Sequence, residues 1–506
     1  SSLLVLDRYG RPIGGSIPLV ESAAGQRRQL VRITGSQPNQ ALMIGRVLLL
    51  ATADDLAVFE VSGDEADDHR LLWTANNPLA TAAERHRIAA VESPLERLLR
   101  PLGPRPLGLR QNHHQLQVQR TPVFRIGMPR LTGVPIITAR TLELRDLRTG
   151  RLLWRRRQIP AQAEAFGDDE LLCVAAPDGA ESLVLSMADG RLLSRLDLPP
   201  RDRRLAVSGR RLLAIDTVVD GQPRIDLISL DVGDGSRNEV AGCQGTDRAA
   251  GGPPGMFFTL TAAGRLTAID VAAGRVVFAT ELPEPPAGLS QLRVLPWQDR
   301  YLVLVGRAET AAEQARFAAI RSIGRFGSNR PSLVESSLIY AVDRLSGDML
   351  WARPASVQRQ ILHRPQPAGL PVLLFARELH LERDSRQRPD GHRHGLLCLD
   401  KRSGGLLHLD DGIVIEPRHA AATAELRMSG EPETSAVRLR IESRQRGGTG
   451  AREIVIRFTG LPAAEAARPF RGEDRDLVYT DLASEVRYWI WRMVESIAEQ
   501  ILSIFD

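Results

Sequence analysis

Three observations predict an all-β fold for this chain of 506 residues. A short motif recurs, in which an alternating apolar run leads into Asp, a few residues, Gly, and a second apolar run that often ends in Trp. Period-2 alternation is typical of strands with one buried side, and Asp and Gly are typical of tight turns. Because such hairpins cannot each bury a face alone, stacking them in a ring is the arrangement that covers them all. The sequence therefore predicts a β-propeller.

The motif residues each have an expected structural part. The Asp side chain accepts hydrogen bonds from turn N–H groups, Gly supplies a positive φ, and Trp closes the second strand with a large buried surface. The motif residues of the four clearest copies are Asp146, Gly150 and Trp154; Asp270 and Gly274; Asp343, Gly347 and Trp351; Asp400 and Gly404.

The copies also predict the number of blades. Weaker ones lie at 3–13, 56–73, 183–193 and 225–240. The first supplies only two strands, which we expect at 1–15, and late runs at about 424–458 complete its blade. This predicts eight four-stranded blades over residues 1–460, with seven as the alternative, followed by a linker and helix over 461–506.

Two stretches between copies exceed the repeat length, at about 78–130 and 306–335. We expect short helices at 80–85 and 95–99, a helix at about 308–323, and a polar loop at 384–394. Loops carry function more often than the scaffold beneath them, so these insertions are candidate ligand or partner surfaces.

The C-terminal segment 482–505 has the pattern of an amphipathic helix, with Asp481 as its N-cap. Its apolar stripe, at spacings of three and four, comprises Leu482, Val486, Ile490, Met493, Ile497 and Ile501. The helix packs on the propeller's own surface or binds a protein partner. Glu485, Glu495 and Glu499 on its polar side disfavour an anionic membrane surface.

Composition excludes several function classes. The net charge is +5, but the arginines are spread among 61 acidic residues, so no nucleic-acid groove is predicted. No run of 18 apolar residues is present, which predicts no transmembrane segment. Three distant cysteines exclude a disulfide framework. The chain begins with Ser1, so we expect a processed chain or a fragment of a longer protein.

The Asp-x-x-Thr/Ser-Gly-x-x-x-Trp pattern of 146–154 and 343–351 resembles the quinoprotein-like (PQQ-like) repeat. The resemblance covers roughly residues 1–460 and implies four-stranded blades in a ring of seven or eight. Such repeats occur in quinoprotein alcohol dehydrogenases and in non-enzymatic outer-membrane assembly lipoproteins. The arginine-rich composition also resembles large planctomycete-type propeller proteins of unassigned role.

The enzymatic branch of that family implies a quinone with calcium, a catalytic Asp and, in many members, adjacent cysteines, which this chain lacks. The histidines of 392–394 flank an arginine in a predicted loop, which disfavours a metal. We therefore predict no catalytic residues, no metal and no cofactor. The predicted function is a non-catalytic scaffold for protein–protein interaction in a bacterial extracytoplasmic assembly. The alternative is a quinone- or small-ligand-binding oxidoreductase that uses the central funnel.

Overall fold

A computed structural model of the chain gives the fold. It describes residues 2–3, 17–18, 40–44, 46–51, 55–61, 70–76, 124–126, 133–138, 140–216, 224–244, 248–285, 288–307, 311, 320–325, 328–331, 335–363, 366, 369–381, 392–415, 423–431, 436–445, 448–457 and 469. The chain divides into two compact units. Unit 1 comprises Ser1–Pro285, Leu289–Pro296 and Asp343–Asp348, and unit 2 comprises Pro286–Gly288, Trp297–Val342 and Met349–Asp506.

Unit 1 contains a short pair of strands and then four-stranded sheets. The strands are β1 (Ser2–Leu3), β2 (Ile17–Pro18), β3 (Gln40–Ile44), β4 (Val47–Ala51), β5 (Asp55–Glu60), β6 (Arg70–Asn76), β7 (Phe124–Ile126), β8 (Val134–Thr138), β9 (Thr141–Arg145), β10 (Leu152–Arg157), β11 (Glu164–Gly167), β12 (Leu171–Ala175), β13 (Ser182–Ser186), β14 (Leu192–Leu196), β15 (Arg204–Ser208), β16 (Arg211–Ile215), β17 (Arg224–Asp231), β18 (Arg237–Gln244), β19 (Arg248–Gly251), β20 (Met256–Leu260), β21 (Arg265–Asp270) and β22 (Arg275–Glu281).

From β3 onward, every four consecutive strands of this series form one antiparallel sheet in chain order. We call these sheets 1 to 5, from β3–β6 to β19–β22. A meander of four antiparallel strands is the strand order of a propeller blade. The prediction of an all-β fold built from antiparallel hairpins is therefore confirmed in the part of the chain that the structure describes.

Successive sheets of unit 1 bury their apolar faces against one another. Val58 of sheet 1 shares a core with Ile136 of sheet 2, and Leu144 of sheet 2 shares one with Leu172 of sheet 3. Further cores join sheet 3 to sheet 4 and sheet 4 to sheet 5. Each sheet thus covers a face of the next, which is how hairpins with two apolar sides become stable in water.

A β-bulge recurs near the start of the fourth strand. In sheet 2, Leu152 pairs with Arg145 and Trp154 with Leu144, so Leu153 is the extra residue. The same irregularity falls at Leu72, Leu193 and Val277 in sheets 1, 3 and 5. Because each bulge adds one residue, the side chain after it keeps a fixed position opposite the third strand. That side chain is the motif Trp in sheet 2.

Unit 2 continues the series of strands. After β23 (Leu289–Trp297) along the chain come β24 (Arg300–Arg307), β25 (Ile320–Arg325), β26 (Ser328–Pro331), β27 (Glu335–Asp343), β28 (Ala355–Gln360), β29 (Val372–Leu381), β30 (His392–Asp400), β31 (Leu406–Ile415), β32 (Thr423–Glu431), β33 (Ala436–Gln445) and β34 (Gly448–Arg457). The last three form a three-stranded antiparallel sheet, and they include the runs expected at about 424–458.

One hairpin of unit 2 belongs to a different sheet from the strands that precede and follow it in the chain. Strands β24, β27 and β28 are neighbours in one sheet, whereas β25 and β26 belong to the next sheet, whose order is β26-β25-β29-β30-β31. The chain therefore leaves β24, adds a hairpin to the edge of the following sheet, and returns as β27. This hairpin lies inside the insertion predicted at 306–335.

Two local predictions were wrong. The helix expected at about 308–323 does not reach its predicted end, because Ile320–Arg325 form β25 and pair with β29. Residues 392–394, expected in a loop, lie in β30 between β29 and β31. In both places pairing with a partner strand overrides the local sequence preference. The expected helices at 80–85 and 95–99 lie outside the described residues.

No helix in the described part of the chain has the length and apolar character needed to cross a bilayer.

Candidate functional site

The turn at Asp146 shows what the repeat motif does. Its Oδ1 accepts hydrogen bonds from the backbone N–H groups of Arg148 at 3.0 Å and Thr149 at 2.7 Å, and from the Thr149 hydroxyl at 2.8 Å. Gly150 donates its N–H to the Asp146 carbonyl at 3.0 Å and has a φ of +67°. The hydrogen bonds from Thr149 and Arg148 lower the pKa of the Asp146 carboxyl. The Asp146 carboxylate therefore stabilises the turn through hydrogen bonds to residues of the same turn.

The other predicted motif carboxylates have similar bonds. Asp343 accepts from the N–H groups of Leu345 and Ser346, both at 2.8 Å, and Asp270 accepts from Ala273 at 2.9 Å. The fourth, Asp400, accepts from the N–H of Arg402 at 2.9 Å and from its guanidinium, and it is buried. The four motif glycines all have positive φ: Gly150, Gly274, Gly347 and Gly404.

The motif Trp contacts the turn of the next sheet. The ring of Trp154 lies so close to Gly190 that a Cβ there would be 2.6 Å from Trp154 Cε3. The Trp154 Nε1 donates to the Met187 carbonyl in the same turn at 2.9 Å. The sequence predicted a buried ring at this place, and the structure shows that the ring joins two sheets.

This turn-docking contact recurs. Trp73 of sheet 1 lies on Gly150 and donates to Leu147 at 3.0 Å. In unit 2, Trp351 lies on Gly404 and donates to Arg402 at 2.8 Å. Only glycine fits beneath these rings, because a side chain would occupy the space of the indole.

Other repeats replace the indole. Phe278 covers Gly347 with a ring that has no N–H, and the Leu196 side chain approaches Gly235. Gly274, in contrast, is covered by Ser229 of the preceding sheet. Of the motif residues that the sequence singled out, Trp351 and Gly404 lie against each other, whereas Trp154 and Gly150 contact Gly190 and Trp73.

Two cysteines lie in the described part of the core. Burial raises the pKa of the Cys173 thiol to about 12, and it also raises the pKa of Cys398. Both thiols are therefore protonated and unreactive at neutral pH. Within the described ranges, no three His, Cys, Asp or Glu side chains lie close enough together to hold a metal ion. The residues proposed for a partner helix, 482–501, lie outside the described part of the chain.

The fourth strands carry a surface that the sequence analysis missed. Leu71, Leu152, Leu153 and Leu193 lie on β6, β10 and β14 and are each more than a third exposed. Two of them, Leu153 and Leu193, are bulge residues. We call these four residues the edge-leucine surface. In the sequence they stand in apolar runs, so a buried position was the natural expectation.

A second missed group is the cluster of Trp297, Arg300 and Lys401 in unit 2. The Arg300 guanidinium lies 5.3 Å and the Lys401 Nζ 6.0 Å from the centre of the Trp297 ring. Trp297 and Lys401 are almost fully buried. The only available sequence signal was that Lys401 is the single lysine of the chain.

No family model matches the chain, and no curated protein matches it either. Among solved structures, the chain is similar to BamB from Moraxella catarrhalis at 12% identity, over 84% of this chain and 95% of that one, with a TM-score of 0.30. It is similar to the WD40 domain of SCAP from fission yeast at 12% identity, over 84% and 89%, with a TM-score of 0.33. It is also similar to the dihydro-heme d1 dehydrogenase NirN in complex with DHE at 10% identity, over 84% and 76%, with a TM-score of 0.33. The sheets of this chain are defined by their own strand order and shared cores, and TM-scores near 0.3 add nothing to them.

Proposed function

We propose that the chain is a non-catalytic β-propeller scaffold that binds a protein partner in a bacterial extracytoplasmic assembly. The observation that carries this proposal is the edge-leucine surface on three consecutive sheets of unit 1. Exposed apolar side chains grouped on neighbouring elements are typical of protein–protein contact surfaces.

The bulges bear on how a partner would contact these leucines. An unbroken edge strand offers N–H and C=O groups to any other strand, whereas a bulge twists the edge and interrupts pairing. Leu153 and Leu193 sit on such bulges, so a partner contacts side chains and does not add a strand.

Charge around the surface also suits a protein partner. Arg155 pairs with Glu143 at 2.6 Å, Arg195 pairs with Glu181 at 2.9 Å, and Arg70 pairs with Glu60 at 2.8 Å. Because each of these arginines has a carboxylate beside it, the surface attracts a polyanion only weakly. An apolar protein segment framed by polar groups is the better fit.

The same proposal includes the arrangement of the sheets in a ring. Sheets 1 to 5 already share cores in sequence, and the repeat motif recurs later in the chain at Asp343 and, within unit 2, at Asp400. We propose that these sheets are blades of an eight-bladed quinoprotein-like propeller, closed by strands 1–15 and about 424–458, with the helix at 482–501 as a further partner contact.

Site-directed photo-crosslinking tests the partner surface. A photoreactive phenylalanine analogue would replace Leu153 or Leu193, and a matched control would carry it at the exposed Ala262 in the β20–β21 turn. We expect one discrete crosslinked protein from the first two sites, displaced by excess unlabelled wild type but not by L153D/L193D. Equal labelling at all three sites would contradict the proposal.

The absence of a cofactor in this proposal is tested separately. Purified protein would be analysed for quinone and calcium by mass spectrometry and elemental analysis. Either one at a stoichiometric level would favour the oxidoreductase alternative.

Fractionation of the source cells tests the extracytoplasmic location, which rests on the resemblance to assembly lipoproteins.

A further inference from the structure

Lys401 is the buried cation at a turn position that elsewhere holds an apolar residue or, after Asp343, the half-buried Arg344. In four other turns the residue at this place, directly after the Asp or Ser that starts the turn, is buried and apolar: Leu147, Met187, Val232 and Val271. Lys401 keeps the shared backbone arrangement, since its N–H donates to the Pro371 carbonyl at 2.8 Å. The architecture therefore has no need of an amine here, and burying one is costly.

The Lys401 ammonium is poorly compensated. Its Nζ donates to the Leu370 carbonyl at 2.8 Å and lies over the Trp297 ring. No carboxylate among the described residues forms an ion pair with it. The neighbouring guanidiniums have their own partners, since Arg300 pairs with Asp299 at 2.9 Å and Arg402 with Asp400 at 2.9 Å.

A second donor in the same cluster lacks an acceptor. The Nε1 of Trp297 is buried and has no hydrogen-bond partner, although the residue is only 4% exposed. Trp351 shows the contrast, because its Nε1 donates to Arg402. Buried N–H groups in folded proteins nearly always donate to protein, ordered water or an ion, so the Trp297 Nε1 needs an acceptor from outside the protein.

We propose that Lys401 and Trp297 form a binding site for a small monovalent anion. An acceptor with a negative charge satisfies both needs, because it receives hydrogen bonds from Nζ and Nε1 and balances the ammonium. Trp297 and Lys401 are both buried, so the anions that test the site are small, a halide and a single carboxylate.

The titration of Lys401 provides the test. Burial lowers its pKa from 10.5 to about 8, so a bound anion, which favours the charged form, must raise it. Because the chain has one lysine, labelling with ¹³C-lysine gives a single ¹³Cε resonance that reports this pKa directly. The probes are sodium chloride, sodium formate and sodium gluconate at equal ionic strength.

We expect chloride or formate to raise the pKa saturably, by about one unit, while the bulky gluconate has no such effect. Which of the two acts distinguishes a halide site from a carboxylate site. Identical pKa values in all three salts would mean that only screening is present, and would overturn the proposal.

Trp297 gives an independent readout. In W297F the ring remains but the donor is lost, so we expect anion affinity to fall about tenfold. The ¹⁵N-labelled indole of Trp297 in the wild type should shift with the same midpoint as the lysine resonance. If the lysine resonance shifts on addition of the anion while the indole resonance of Trp297 does not, the proposal that both groups donate to one anion is wrong.

Discussion

Trp154 of sheet 2 covers Gly190 in the turn of sheet 3, so the fourth strand of one sheet is fastened to the hairpin of the next. This contact predicts the result of G190A. The new methyl group would meet the indole at 2.6 Å and would also sit at a φ of +70°, so we expect a loss of about 2–4 kcal/mol in the free energy of unfolding.

The chain offers a matched control for that change. Gly209 has a φ of +58° with nothing within 4 Å of the added Cβ, so G209A should cost only the backbone strain, about 1 kcal/mol. Denaturant titration of both variants measures the difference. Equal losses would show that the ring contact contributes nothing.

The hydrogen bond of Trp154 can be separated from its ring. W154F keeps an aromatic ring over Gly190 but leaves the Met187 carbonyl without its donor, which should cost about 1–2 kcal/mol. The variant should fold, since Phe278 already covers Gly347 without an N–H. If W154F is as stable as the wild type, the hydrogen bond from Trp154 to the Met187 carbonyl does not contribute to stability.

The turn carboxylate Asp146 makes stability depend on pH. Hydrogen bonds from Thr149 and Arg148 lower its folded pKa below the unfolded value, so its stabilisation is complete above about pH 4 and is lost as the pH falls through the folded pKa. We expect D146N to be about 0.5–1 kcal/mol less stable at pH 6, with a gap that narrows towards pH 2. Thermal unfolding across this range measures the gap, which should not stay constant.

Lys401 also makes stability rise with pH, but in the alkaline range. Its folded pKa of about 8 lies below the unfolded value of 10.5, so the unfolded chain binds more protons between these two pH values and stability rises with pH there. Relative to K401M, the wild type should gain up to about 3 kcal/mol between pH 7 and 11. Met is the matched replacement because Met187 occupies the equivalent place. Parallel pH profiles of the two proteins would contradict the assignment.

The turns could be predicted from the sequence because their determinants are local. Asp146 and Gly150 lie four residues apart and form the turn by themselves, so composition and spacing are sufficient. The all-β class follows from the same hairpins. The contact partner of the motif Trp could not be predicted, because Trp154 and Gly190 meet only when two sheets are stacked.

The remaining differences also arise from long-range pairing. The run at Ile320 has helical neighbours in sequence, yet β29 supplies a pairing edge that makes it a strand. Leu152 and Leu153 look like one buried run until the bulge exposes both. Lys401 lies over Trp297, about a hundred residues away in the chain, and local sequence carries no sign of that contact.

The hairpin of β25 and β26 should couple the unfolding of the two sheets that it connects. Strands β24 and β27 are neighbours in one sheet, whereas the hairpin that connects them along the chain pairs with β29 of the other, so the two sheets share one stretch of chain. The two should open as one cooperative unit, and the amide protons of Ile339 and Leu374 should exchange with solvent at the same free energy. Removing the hairpin would then loosen strands that it never touches.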